Sequence, residues 1–277
     1  MKKRILYFIF FIITLLAAGY FFAMISEKRI LSIQDSPEED KQNPVYQAEQ
    51  SSPPKIIIET VENQNASSRK AEEEKSPIIS KKIEQTVPFV IQAPFGNWED
   101  PNFQNACEEA SMIMAMGWVD GEKTISPQEA QKRILEIIDF ENRTFGYSTD
   151  TNASDVERIF REHFKHENVH AMKNITLEDV KTEIQKGSVV IVPAFGRALE
   201  NPNFTQPGPV AHMLVIIGYD PLTRKFITND PGTRKGAGYK YDESLLFEAI
   251  WEYPSGASDP PLPTAGNVKK ALISVSK

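Results

Sequence analysis

Apolar positions divide this chain into three regimes. The first is an uncharged run from Ile5 to Ile25, dense in Ile, Leu and Phe and preceded by Met1-Lys2-Lys3-Arg4. A helix of about 20 such residues spans a bilayer. The run continues past the small residues Ala17-Ala18-Gly19 through Met24, whereas a cleavable signal peptide has an apolar core of only about 7–15 residues. An uncleaved signal anchor over residues 1–30 is therefore expected. Lys2, Lys3 and Arg4 outweigh Lys28 and Arg29, which predicts a cytoplasmic N-terminus and a single-pass protein with its C-terminal domain outside the cytoplasm. In the second regime, residues 31–85, periodicity is lost. Ser, Pro, Gln, Asn, Glu and Lys dominate, a composition too polar to offset ordering entropy, so this segment reads as a disordered polar tether.

The third regime, residues 86–277, is patterned throughout. Val87-Pro88-Phe89-Val90-Ile91-Gln92 reads as a short strand. Cys107 to about Trp118 reads as a helix. Ser126-Pro127-Gln128-Glu129 and Ser154-Asp155-Val156-Glu157 are capping-box signatures opening two further helices. Thr176 opens a fourth, which ends at Gly187. The period then switches to two. Ser188–Ala194 and His212–Tyr219 read as buried strands, and Asp220-Pro221-Leu222-Thr223 turns the second into a partner strand, Arg224–Asn229. A helix from Asp242 or Glu243 to Glu252 and a closing strand from Lys269 to Val275 complete the pattern. Helices first and antiparallel strands later make an α+β domain.

Charge and cysteine content narrow the function. The net charge of −7 over 277 residues argues against a nucleic-acid partner, which usually meets a basic face. With one cysteine, no disulfide closes within the chain. No zinc-type Cys/His spacing is present, and neither a metal nor another cofactor is expected.

The candidate chemistry starts at Cys107. A thiol at a helix N-terminus has its pKa lowered and its nucleophilicity raised. His212 opens one strand of the predicted hairpin and Asp230 closes the other. Antiparallel pairing around the Asp220–Thr223 turn brings the two to one edge, where a carboxylate orients an imidazole as a general base. His163, His166 and His170 lie in polar sequence and are expected on the surface. Phe95, Trp98 and Phe103 are expected either to fold over the core or to line a groove. The loop from Phe195 to Ala211 is expected to form one wall of a cleft.

The stretches Val87–Gln92, Cys107-Glu108-Glu109-Ala110-Ser111-Met112, His212–Asp220 and Asn229-Asp230-Pro231-Gly232, in that order, resemble the stand-alone C39-like branch of the bacteriocin-processing, double-glycine cysteine peptidases, within the papain-like superfamily. The resemblance implies a papain-like fold with N-terminal helices packed on a C-terminal antiparallel sheet. It also implies Cys107 as nucleophile, His212 as general base and acid, Asp230 as its orienter and Gln92 as oxyanion donor, with Gln104 as a rival for the last role. A peptide or protein would be the substrate, and the N-terminal helix would hold the protein on the membrane. Two other readings use the same fold: a module that binds peptide or cell wall without cutting, and a peptidoglycan amidase or acyl transferase. Glu108 stands where many family members carry Gly. A carboxylate there opposes thiolate formation, although a helical position lets the side chain turn away from the sulfur.

Overall fold

The computed structural model describes residues 79–257, 260–264 and 268–277. The predicted membrane span and most of the tether lie outside the described residues. Among the described residues no helix is long and apolar enough to cross a membrane.

Among the described residues, seven strands form one wholly antiparallel sheet. They are β1 (Ile83–Glu84), β2 (Val169–Lys173), β3 (Val189–Phe195), β4 (Ala211–Asp220), β5 (Lys225–Asn229), β6 (Tyr239–Asp242) and β7 (Ala271–Val275). Their spatial order is β2-β7-β3-β4-β5-β6, and β1 pairs with β4. The central strand, β4, runs against β3 on one side and β5 on the other, with a register shift between Ile216 and Gly218. Six α-helices accompany the sheet among the described residues: α1 (Pro101–Gln104), α2 (Cys107–Val119), α3 (Pro127–Thr144), α4 (Ala153–Glu162), α5 (Leu177–Gln185) and α6 (Glu243–Ala249).

Strand alternation separates two cores. Ile191, Met213, Val215, Ile227 and Ile273 face α2, α3 and α4. Val190, Val192, Leu214, Ile216 and Leu272 face the opposite way, towards α5 and α6. Side chains two residues apart share a face, and here both faces are covered. The fold is the expected α+β, but α5 does not join the other early helices. It lies on the far face of the sheet, because its apolar side chains Val180 and Ile184 pack with that second core. The N-terminal helical layer is therefore α2–α4.

Local signals explain most element starts. Ser126 caps α3 through Glu129 N–H, but the predicted box is only half formed, because the Glu129 side chain pairs with Arg133 at 2.7 Å. The cap of α4 is Asn152, two residues before the predicted Ser154. Its side chain accepts from the N–H groups of Ser154 and Asp155, and Asn and Ser are equally good at this position. Thr176 and Asp179 form the full capping box of α5. The predicted strand at residues 87–92 is irregular. Instead Ile83 and Glu84, assigned by sequence to the tether, pair with β4. Strands β2 and β6 escape the sequence reading because they are short and mix charged residues or His with their apolar ones. His166 is not simply exposed, since its Nε2 meets Ser276 O at 2.9 Å. His163 is half-buried between Phe140 and Phe164.

Candidate active site

Helix α2 is buried on nearly all sides, from Cys107 to Trp118. It has no polar face because both the sheet and α3 press on it. Cys107 is its first residue, so the Cys107 N–H has no intrahelical acceptor. Ser111, one turn on, donates its hydroxyl to Met213 O at 3.3 Å. That bond ties the cysteine helix to β4 beside His212.

The His212 ring is buried at the start of β4, and its Nε2 lies 2.8 Å from Asp230 Oδ1. Asp230 follows β5 directly. The β4–β5 register pairs Val215 with Asn229, which sets the two ends side by side. Asp230 is fully buried and well supplied with donors. Gly232 N–H reaches Oδ1 at 3.0 Å, Tyr241 OH reaches Oδ2 at 2.6 Å, and Asn201 Nδ2 lies 3.4 Å from Oδ2. Burial by itself opposes ionisation of Asp230, but His212 and these donors outweigh it and hold the carboxyl below its ordinary value. With Nε2–H directed at Asp230, His212 keeps Nδ1 as its free ring nitrogen. Phe204 packs edge-on against the imidazole, with centroids 5.2 Å apart. A Cβ on Gly232 would come within 2.8 Å of His212 Cε1, so only glycine lets this turn lie against the ring.

Gln92 joins the group through its backbone, whose N–H donates to Pro231 O at 3.1 Å. Its side-chain Nε2 donates to Phe103 O at 3.1 Å and Gln104 O at 2.8 Å. Both amide hydrogens thus brace the loop ahead of Cys107. The Gln104 side chain is on the exposed side of that loop.

These residues surround a cleft of about 820 Å³, which Gln92, Gln104, Cys107 and His212 line. The loop after β3 forms one wall through Pro202, Asn203, Phe204, Thr205, Pro209 and Val210. Trp98 lines the cleft, Phe103 is in the core and Phe95 stands out into solvent. Among the described residues, no cluster of three or more His, Cys, Asp or Glu side chains could hold a metal ion.

Residues 84–259 match the Peptidase_C39 like family. The chain belongs to that family. Among solved structures, a crystal structure from Bacillus anthracis, assigned to the C39-like peptidases, shares 14% identity with a TM-score of 0.39, covering 71% of this chain and 98% of that one. No curated protein matches the sequence.

The electrostatics of this C39-like domain depart from expectation at Cys107. Burial and the adjacent Glu108 push the thiol well above its ordinary pKa, outweighing any helix-terminus effect. The reason is geometric. Glu108 does not turn away: Cys107 Sγ donates to Glu108 Oε2 at 3.0 Å, and Tyr253 OH donates to Oε1 at 2.5 Å. Burial in turn raises the Glu108 carboxyl, against the pull of both hydrogen bonds. Further acids lie nearby. Burial and the charge of Glu108 lift Asp150, which lines the cleft, to about 7. Burial and the neighbouring Glu141 raise Glu109, and burial lifts Glu141 to about 8. The sequence reading passed over Tyr241, Asn201 and Tyr253. The alternation in Tyr239-Lys240-Tyr241-Asp242 marks a half-buried strand and would have found the first.

Proposed function

We propose that this chain is a cysteine peptidase that hydrolyses peptide bonds with Cys107 as nucleophile, His212 as acid and base, and Asp230 as orienter. The supporting observation is the buried His212–Asp230 contact of 2.8 Å at the wall of the cleft that Cys107 also lines. Asp230 fixes the ring so that Nδ1 is the atom free to exchange a proton. Attack by sulfur on a carbonyl would build negative charge on oxygen. The Cys107 backbone N–H is one donor for that charge. Gln92 supplies a second by exchanging one of its two carbonyl acceptors for the substrate oxygen. His212 then protonates the leaving amine.

The basic cap and apolar run at residues 2–25 support a single-pass anchor, with the domain and its peptide or protein substrate outside the cytoplasm. Protease protection of the domain in intact cells would overturn that placement.

The activity is tested with a degenerate peptide library and a thiol-directed probe at mildly acidic pH. Cys107→Ala and His212→Ala should each lower hydrolysis at least about 10³-fold. Equal, slow labelling of wild type and His212→Ala would count against an activated cysteine. A second reading, a peptide- or wall-binding module, draws on the thiol being held by Glu108. It predicts that Cys107→Ser retains full biological function.

A further inference from the structure

The turn that follows β5 carries two cations into the cleft. Arg234 and Lys235 line it, and apart from His212 they are the basic side chains among its lining residues. Both residues are exposed, and among the described residues neither forms an ion pair. Glu99, an exposed acid of the same cleft, pairs with neither. The turn itself is fixed. Asp230 N–H donates to Gly236 O at 3.0 Å, Gly236 N–H to Thr233 O at 3.3 Å, and Lys235 N–H to Thr233 Oγ1 at 3.2 Å. Pro231 O accepts from Gln92 N–H at 3.1 Å. The two cations therefore ride on a turn tied to both Asp230 and Gln92.

The Arg234 side chain has a defined seat. Its Nη2 stands 2.1 Å from where a Cβ on Gly96 would lie, so the guanidinium rests on the backbone of the turn that follows Gln92. Gly96 also has a φ of +76°, and only glycine combines that conformation with the space the guanidinium occupies. Acids gather instead on the Cys107 side of the cleft. Asp150 lines it there, and its charge acts on the thiol together with that of Glu108. A substrate carboxylate finds no cation at Asp150. The chain as a whole carries a charge of −7, so an anionic group gains most where Arg234 and Lys235 stand.

We propose that Arg234, assisted by Lys235, is a specificity-determining residue that holds a substrate carboxylate on the leaving-amine side of the scissile bond. This rests on the cysteine peptidase reading and names its substrate class, peptides with an acidic group just after the cut. The side follows from the ring. A Cβ on Gly232 would come within 2.8 Å of His212 Cε1, the carbon bonded to Nδ1, and Nδ1 is the atom that protonates the leaving amine. Arg234 stands two residues beyond Gly232, a span of at most about 7 Å. The carboxylate therefore falls within the first three residues after the cut. Its source is either an Asp or Glu side chain or the terminal carboxylate of a peptide that ends there. A guanidinium meets both through two parallel N–H···O bonds.

The test digests degenerate peptide libraries with the full chain and reads the cut sites by mass spectrometry. One library ends in free carboxylates and its twin in amides, which separates the terminal source from the side-chain source. Wild type should favour Asp and Glu over Asn and Gln within three residues after the cut, or the free terminus over the amide, by about three- to tenfold. Raising salt from about 0.05 to 0.5 M should shrink that ratio. Arg234→Gln should lower it and Arg234→Glu should invert it. A wild-type ratio near one, a preference confined to residues before the cut, or a ratio unmoved in Arg234→Glu overturns the proposal. Lys235→Glu serves if Arg234→Glu does not fold, and an unmoved ratio there also overturns it. Binding of dye-labelled Glu and Gln peptide pools to Cys107→Ala, read by anisotropy, needs no turnover, so the two readings fail separately. Tighter binding of the Glu pool without hydrolysis by wild type sinks the peptidase reading and keeps the carboxylate contact. Hydrolysis with no carboxylate preference sinks the role of Arg234, and equal or absent binding of both pools without hydrolysis sinks both.

Discussion

Replacing Tyr241 by Phe removes one oxygen and leaves the ring packing intact. That oxygen donates to Asp230 Oδ2 at 2.6 Å and accepts from Asn201 Nδ2 at 2.6 Å. All three residues are at most 2% exposed, so water cannot replace the lost bonds. A hydrogen bond to a buried charge contributes about 1.5–3 kcal/mol. The variant should therefore unfold about 2–3 kcal/mol more easily at neutral pH. Its melting temperature should fall by about 2–4 °C for each kcal/mol in a domain of this size. The pH dependence identifies the cause. The folded-state pKa of Asp230 lies below the ordinary 3.8. Its ionised form therefore contributes stability that is complete above the unfolded value and lost as pH falls through the folded one. The gap between wild type and Tyr241→Phe should be full at about pH 7 and narrow below pH 3.8. Urea unfolding at both ends of this range, followed by tryptophan fluorescence, measures it. A loss under about 0.5 kcal/mol at neutral pH, or an equal loss at both pH values, would refute the argument.

Three further outcomes are expected. Gly218→Ala places a Cβ 2.2 Å from Ile83 O, so β1 should separate from β4 at a cost of about 1–3 kcal/mol, visible as faster proteolysis between residues 79 and 90. Glu141, with an ordinary value of 4.5, is raised to about 8 by burial. Ionising it costs stability progressively as pH climbs between those values, so Glu141→Gln should gain on the order of 1–3 kcal/mol at the alkaline end and nothing at about pH 4. Asn229 Nδ2 reaches Val87 O at 3.3 Å, and Oδ1 accepts from Gly238 N–H at 3.1 Å. Asn229→Ala should cost about 1–3 kcal/mol and speed hydrogen exchange at Gly238.

Periodicity is local, and so what rests on it was readable. The helix from Cys107, the capped starts at Ser126 and Thr176, and the hairpin that sets His212 beside Asp230 each depend on neighbours in sequence. The misses have equally physical causes. Strand β2 mixes His170 and Lys173 among its apolar residues, one on each face, so it shows no clear alternation, and β6 alternates over only four residues. The extended stretch ending at Gln92 looks like a strand, but its carbonyls at Val87 and Pro88 face the Asn229 side chain rather than another strand. Placing α5 on the far face of the sheet depended on which core its apolar side chains met.

For the proposed site, the candidate groups and their order were legible along the chain: a thiol opening a buried helix, an imidazole opening a strand and a carboxylate closing the next. Their electrostatic surroundings come from packing between distant segments. Helix geometry alone leaves the Glu108 side chain free to turn from the sulfur. With α2 enclosed by protein, Glu108 has no solvent to reach, and Tyr253, 145 residues away, supplies the hydroxyl that fixes it beside Cys107. Tyr241 is likewise distant in sequence from Asn201 and donates to Asp230 from the four-residue strand β6. Charge burial depends on what packs from every side, and no single stretch of sequence contains that information.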